Sequence, residues 1–141
     1  MGRSERSGEA AAARHDLRAK LNHIAGYSEF LRSGSAAAGD PVLAGRCESL
    51  REAAFALVGP LTRLLADEPP EPAEARRIAS EIAGILDEAE AEARRIEAAV
   101  AGDPGASADA ARIVAAIGQV RSALPPAEPP ASSPLAARNA T

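Results

Sequence analysis

The stretch ARHDLRAKLNHIAGYSEFLR, from Ala13 to Arg32, decides the fold of this chain. Its apolar and small side chains recur at alternating steps of four and three residues, at Leu17, Leu21, Ile24, Ser28 and Leu31. Because residues three and four apart share one face of an α-helix, this spacing predicts an amphipathic helix with one buried stripe. We expect the helix to run from Gly8 to Arg32, with Ser7 as its N-cap.

Three more helices are predicted C-terminal to this stretch. Asp40-Pro41 indicates the start of the second, to about Ala66, since an acidic cap followed by proline is a helix-start signal. Gly59-Pro60 should kink it. A third helix is expected from Ala73 to Ala101, and a fourth, capped by Ser107, from Ala108 to Leu124. The predicted inward residues are Leu43, Cys47, Leu50, Ala54, Leu57, Leu61 and Leu64, then Ile78, Ile82, Ile85, Ala89, Ala93, Ile96 and Val100, then Ile113, Ile117, Val120 and Leu124.

The predicted fold class is all-α, with antiparallel helical hairpins that form a four-helix bundle. We divide the chain into a first hairpin, residues 1–68, a second hairpin, residues 69–124, and a Pro-rich linker or tail, residues 125–141. The four helices can close a bundle alone or pair with a second chain, and we favour a homodimer. We also expect the natural protein to continue past Thr141 into another domain, the alternative being a simple tail.

The composition excludes several classes of function. The net charge of −4 and the pI of about 5.2 argue against a nucleic-acid binder, which would normally carry a basic stripe. Cys47 is the only cysteine, so no disulfide can form within the chain. No apolar run approaches the roughly 18 residues of a membrane span, and the N-terminus lacks a hydrophobic signal region. We therefore expect a cytoplasmic protein with no membrane contact.

His15 is the leading candidate for chemistry. It lies roughly 160–200° around the helix from Leu17 and Ile24, so the imidazole should point to solvent. The neighbouring Asp16 is expected to accept a proton from one ring nitrogen, which would leave the other nitrogen as a nucleophile. Three flanking cations would suit a phosphoryl group: Arg14, Arg18 and Lys20. Asn22 shares the outward face.

A metal or cofactor site is not expected. His15 and His23 are eight residues apart, about 12 Å along the helix axis, which is too far for both to hold one ion unaided. The chain has no Walker motif and no Gly-rich nucleotide loop. The sequence also shows no pair of convergent acids that would indicate an independent active site.

The segment HDLRAKLNHIAGYSEFLR resembles the phosphoacceptor H-box of sensor histidine kinases, in their dimerisation and histidine-phosphotransfer (DHp) domain. The matching positions are His15, Asp16, Leu17, Arg18, Leu21, Asn22, Ile24, Gly26, Tyr27, Ser28, Glu29 and Leu31. The resemblance implies that His15 accepts the phosphoryl group, that Asp16 assists the kinase reaction, and that Arg18 holds the phosphate or a partner's acidic site. It also implies a DHp-like dimer, in which two hairpins form the bundle.

Two departures from the family pattern limit these expectations. Lys20 replaces the family's proline, so we do not expect the usual bend after the histidine. Ala19 replaces the Thr or Asn that positions water for dephosphorylation in the family, so phosphatase activity should be weak or absent. The residues after the H-box show no pattern of an ATP-binding domain, so we do not expect these residues alone to act as an autonomous kinase. The expected partner is a response-regulator receiver domain or a separate histidine kinase. The alternative is a dimerisation or docking module that keeps the H-box shape and has lost phosphotransfer.

Overall fold

Four α-helices joined by short connections make up the described part of the chain. The computed structural model describes the backbone of residues 3–124 and the side chains of residues 8–124. The helices are α1 (Arg3–Ser33), α2 (Pro41–Leu64), α3 (Pro72–Ala99) and α4 (Pro104–Ala123), with a 3₁₀ turn at Ser35–Ala37. The predicted Pro-rich segment, residues 125–141, lies outside the described residues.

The helices pack antiparallel in a bundle-like ring, which confirms the predicted all-α class. α1 packs against α2 and α4, and α3 packs against the same two helices from the opposite side. Both hairpins contribute to one continuous hydrophobic core of leucine, isoleucine, valine and alanine, with Cys47. The apolar stripe of each hairpin is thus covered by the other hairpin of the same chain.

The predicted stripes form most of this core, with three exceptions. Leu64, Ile85 and Leu124 are only partly buried. Leu86 is buried in place of Ile85. The buried residues of this stripe are Ile78, Ile82, Leu86, Ala89, Ala93, Ile96 and Val100. With either Ile85 or Leu86 the steps are all of four or three residues, with one repeated step of four, so helical spacing alone does not choose between the two.

The predicted starts of α1 and α4 were wrong. α1 begins at Arg3, so Ser7 lies inside the helix and does not cap it. α4 begins at Pro104, where the Asp103 side chain accepts a hydrogen bond from the Ala106 N–H at 3.1 Å, and Ser107 lies inside the helix. Asp103-Pro104 is the same acid–proline signal that Asp40-Pro41 provides for α2, and an acidic side chain is an effective cap.

The other helix ends differ from the predicted ones by one or two residues. α2 ends at Leu64 rather than Ala66, and α3 runs over Pro72–Ala99 rather than 73–101. Pro60 lies inside α2 with its ring buried, and the helix continues through it. Before α2, Gly39 has a φ of 74°, a left-handed conformation that glycine adopts without steric cost.

The pairing of α1 with α2 places His15 near one end of the bundle. α2 runs antiparallel to α1, and the residue just after its last turn, Leu65, meets Arg14. The α1 residues before Arg14 therefore have no residue of α2 opposite them. Leu17 is the first buried residue of α1 among the described side chains. His15 thus lies about level with the end of α2, one residue inside the point where α1 extends beyond it.

Candidate functional site

His15 lies on the outward side of α1. Leu17, Leu21 and Ile24 are buried in the core, and this fixes the rotation of the helix. His15 is exposed, as is Asn22 two turns further along. The structure therefore places both side chains where the helical geometry predicted them, and the His15 imidazole is accessible to a partner molecule.

Asp16 has a different hydrogen-bond partner from the predicted one. Its carboxylate accepts a hydrogen bond from the Lys20 ammonium at 2.8 Å, one turn further along α1. This hydrogen bond and the positive charge of Lys20 lower the pKa of the Asp16 carboxyl, so it is ionised at neutral pH. Among the described residues, no hydrogen bond joins Asp16 to His15. The expected orientation of the imidazole by Asp16 is thus absent. Adjacent residues point about 100° apart on an α-helix, whereas Lys20, four residues on, lies on the same side as Asp16.

The two arginines beside His15 have different environments. The Arg14 guanidinium donates to the main-chain carbonyl of Leu65 at 2.6 Å and to the Asp67 carboxylate at 3.2 Å. Arg18 is exposed and forms no ion pair or hydrogen bond with another side chain within the described residues. Of the three cations predicted around His15, Arg14 and Lys20 therefore have intramolecular partners, and Arg18 has none in this part of the chain.

A small cavity of about 20 Å³ lies between α1 and α2, next to these arginines. It has room for about one water molecule. His15 does not line it. Its walls are formed by Arg14, Leu17, Arg18, Leu21, Val58, Leu61, Thr62 and Leu65. The cavity is too small for a nucleotide, so the candidate site is an exposed surface rather than a pocket.

Sequence reasoning missed an aromatic row on the side of α1 that faces α4. The ring centroids of His23 and Tyr27 are 6.4 Å apart, and those of Tyr27 and Phe30 are 6.3 Å apart. The Arg112 guanidinium of α4 lies over the Tyr27 ring, at 5.7 Å from its centroid. The spacing of four and three residues between these rings was the signal for the row, but the contact with Arg112 depends on helix packing. His23 is thus exposed but adjoins the Tyr27 ring, whereas no aromatic pair among the described residues includes His15.

No candidate metal centre is found within residues 3–124, where no group of three or more His, Cys, Asp or Glu side chains could hold an ion. None of the four described helices combines the length and the apolar character needed to cross a bilayer. Cys47 is fully buried, and burial raises the pKa of its thiol to about 11, so the thiol is not a nucleophile at neutral pH.

Comparison with known proteins found no match to this chain among family models, curated proteins or solved structures.

Proposed function

We propose that this chain is a histidine phosphoacceptor or phosphotransfer module of two-component signalling. His15 exchanges a phosphoryl group with an aspartate of a receiver domain, or takes it from a separate histidine kinase. The observation that carries this proposal is the exposed imidazole of His15 on a helix whose opposite face is buried. The H-box resemblance of the same segment adds to it.

The chemistry needs few protein groups. In transfer from a receiver, the lone pair of the unprotonated imidazole nitrogen attacks the phosphorus of the aspartyl phosphate. The P–N bond forms, the P–O bond to the aspartyl group breaks, and the carboxylate leaves with the electron pair. The other ring nitrogen keeps its proton during the step, so no general base is required. Arg18, the neighbouring cation without an intramolecular partner in the described chain, contributes a charge-assisted contact to the phosphoryl group.

The partners follow from this chemistry. The described residues form four helices, so the phosphoryl donor is a separate protein or a domain outside residues 3–124. A receiver domain supplies the acidic phosphorylation site that the exposed surface around His15 and Arg18 would meet. We place this exchange in the cytoplasm. We also propose a DHp-like homodimer, in which each subunit contributes its own four-helix bundle.

The second candidate function is a docking or dimerisation module without phosphotransfer. The ion pair between Lys20 and Asp16 favours this candidate, because it engages the carboxylate that the family uses in the kinase reaction. Ala19 also favours the docking candidate, because it replaces the Thr or Asn that the family uses in dephosphorylation. Both candidates use the surface around His15, and they differ in whether a covalent phosphohistidine forms.

Incubation with a ³²P-labelled phosphorylated receiver domain separates the two candidates. Phosphotransfer predicts acid-labile label on the wild-type chain and none on His15→Ala. His23→Ala is the matched control, since it removes the other exposed histidine of α1, and it should take up label. Circular dichroism checks that each variant is folded. If the wild-type chain binds the receiver but takes up no label, docking is the better account.

A further inference from the structure

Arg14 connects α1 to the end of α2 immediately before His15. Its guanidinium donates to the Leu65 carbonyl and to the Asp67 carboxylate. We call this pair of hydrogen bonds the Arg14 bridge. The hydrogen bond to the Leu65 carbonyl is partly buried, since the Arg14 side chain is 30% exposed, whereas the bond to Asp67 is exposed, with the Asp67 side chain 57% exposed. A charge-assisted hydrogen bond in a partly buried setting is stronger than an exposed neutral one.

Little of the described part of α1 is buried before Arg14. The stretch Gly8–Ala12 is largely exposed, and the first buried residue of α1 is Leu17. An isolated helical segment of about ten residues is marginally stable in water even when it is rich in alanine. Unwinding that starts in this segment therefore meets the Arg14 bridge before it reaches His15.

The connection between α2 and α3 depends on the same bridge. Between Ala66, whose N–H donates to Arg63, and Ala75, whose N–H donates to Glu71, no main-chain N–H of the described chain has a main-chain acceptor. Asp67 is tied to the rest of the protein through Arg14. The Arg14 bridge thus joins the exposed start of α1 to a connection that has few main-chain hydrogen bonds.

We propose that Arg14 is a positioning residue for His15: the Arg14 bridge anchors α1 where it leaves the bundle and so holds the imidazole on a fixed helical turn. This role rests on the proposed phosphoryl exchange at His15. It differs from the expected role of Arg14 as a cation for the phosphoryl group, because its guanidinium is engaged at the end of α2. Arg18 remains the residue that meets the phosphoryl group.

Amide hydrogen exchange of the full chain tests the anchoring without any partner. In Arg14→Ala, the amides of residues 10–16 should exchange at least about tenfold faster than in the wild type, because two hydrogen bonds of a charged group are lost. Alanine is the strongest helix former, so faster exchange cannot arise from a loss of helix propensity. Arg18→Ala is the matched control: it removes the same charge one turn away and should leave these rates unchanged.

Phosphoryl transfer from a labelled receiver tests the positioning. Arg14→Ala should lower the single-turnover rate at saturating receiver by about tenfold and leave the half-saturating receiver concentration unchanged, since misplacing a reacting group slows the chemical step. Arg18→Ala should raise the half-saturating concentration. Arg14→Lys, which can still donate to the Leu65 carbonyl, should recover part of the rate.

The outcomes distinguish the two proposals. If the amides of Arg14→Ala exchange at the same rates as in the wild type, the proposal that Arg14 anchors α1 is wrong, whether or not label is transferred. Faster exchange with an unchanged transfer rate would show that Arg14 anchors α1 without positioning His15, which also overturns the inference. A wild-type chain that takes up no label would overturn the proposed function, while exchange in Arg14→Ala would still decide the anchoring.

Discussion

Leu50 shows at the scale of a single residue how the core stabilises this fold. Its side chain has 0% exposed surface at the centre of the α2 stripe. Leu50→Ala should lower the free energy of unfolding by about 2–5 kcal/mol, through lost apolar burial and the cavity left behind. Urea unfolding followed by circular dichroism measures this change. Phe30→Ala is the control: Phe30 is 68% exposed, so a loss as large as that of Leu50→Ala would contradict this account.

Cys47 gives a second prediction at this scale. Its thiol is fully buried, and burial raises its pKa to about 11. Because the thiolate is the reactive species, a thiol reagent at pH 8 should label the folded chain far more slowly than the chain in concentrated urea. The rate of dithionitrobenzoate reaction in the two conditions measures the difference. Rapid labelling of the folded chain would mean that the core opens around α2.

The side chains around His15 show which parts of a site can be predicted from sequence. The exposure of His15 follows from helical geometry and the neighbouring stripe, and it was predicted correctly. The ion pair of Asp16 with Lys20 was visible in principle, since residues four apart are neighbours on a helix. The Arg14 contact with Leu65 joins residues 51 positions apart. It depends on the register between α1 and α2, and no local pattern encodes that register.

The start of α4 provides a prediction at the scale of the helix. The Asp103 side chain accepts a hydrogen bond from the Ala106 N–H and caps the helix, whereas Ser107 lies within it. Asp103→Ala should lower the free energy of unfolding by about 1 kcal/mol, the usual loss for a removed N-cap. Ser107→Ala should change it by less than about 0.5 kcal/mol. Thermal unfolding of both variants measures the contrast, and the reverse order would restore Ser107 as the cap.

Glu29 makes the stability of the fold sensitive to acid. Its carboxylate accepts from Arg32 and Ser33 and lies 3.9 Å from the Arg51 guanidinium of α2. These contacts, the Arg32 hydrogen bond first, lower the pKa of Glu29 below its usual value of 4.5. A group with a lowered folded-state pKa stabilises the fold above its unfolded pKa, and this contribution is lost as the pH falls through the folded one.

Urea unfolding from pH 7 to pH 3 tests this pH dependence. Wild-type stability should fall as the pH drops below about 4.5, and Glu29→Gln should show a shallower fall over the same window. Glu52→Gln is the matched control on α2, because Glu52 is exposed and has no ion pair among the described residues. If both variants follow the wild-type curve, the Glu29 contacts do not contribute to acid sensitivity.

The whole molecule closes its core within one chain, and this determines how its stability depends on concentration. α3 and α4 cover the stripes of α1 and α2, so the core does not need a second copy. The midpoint of urea unfolding should therefore change little on a 50-fold dilution, whereas an obligate dimer would lose stability. Sedimentation equilibrium of the folded chain measures separately whether the predicted homodimer forms.

The closing of the four helices into one ring is the part of the fold that could not be predicted from the sequence. Helix number and the buried stripes followed from spacing, with Ile85 and Leu86 exchanged. The sequence left open whether the four helices close together, because a stripe such as Leu43 to Leu61 is equally apolar whether its neighbour is α3 or another chain. The acid–proline signal at Asp103-Pro104 marks the start of α4, and the prediction of Ser107 as its cap was wrong.

Ser28 is the only buried polar residue among the described side chains other than Cys47, and its hydroxyl donates to the Ile24 carbonyl of its own helix at 2.6 Å. Among the described residues, the fully buried interior therefore contains no side-chain hydrogen bond between different helices. The choice of neighbouring helix depends on ion pairs nearer the surface, such as Arg46 with Glu92 between α2 and α3, and on the lengths of the connections, of which Val100–Asp103 is the shortest. A circular permutant would cut this connection and join the original N- and C-termini. In such a variant α4 would no longer be held next to α3 by a short connection, so it could pack at another position in the bundle or in the bundle of another molecule.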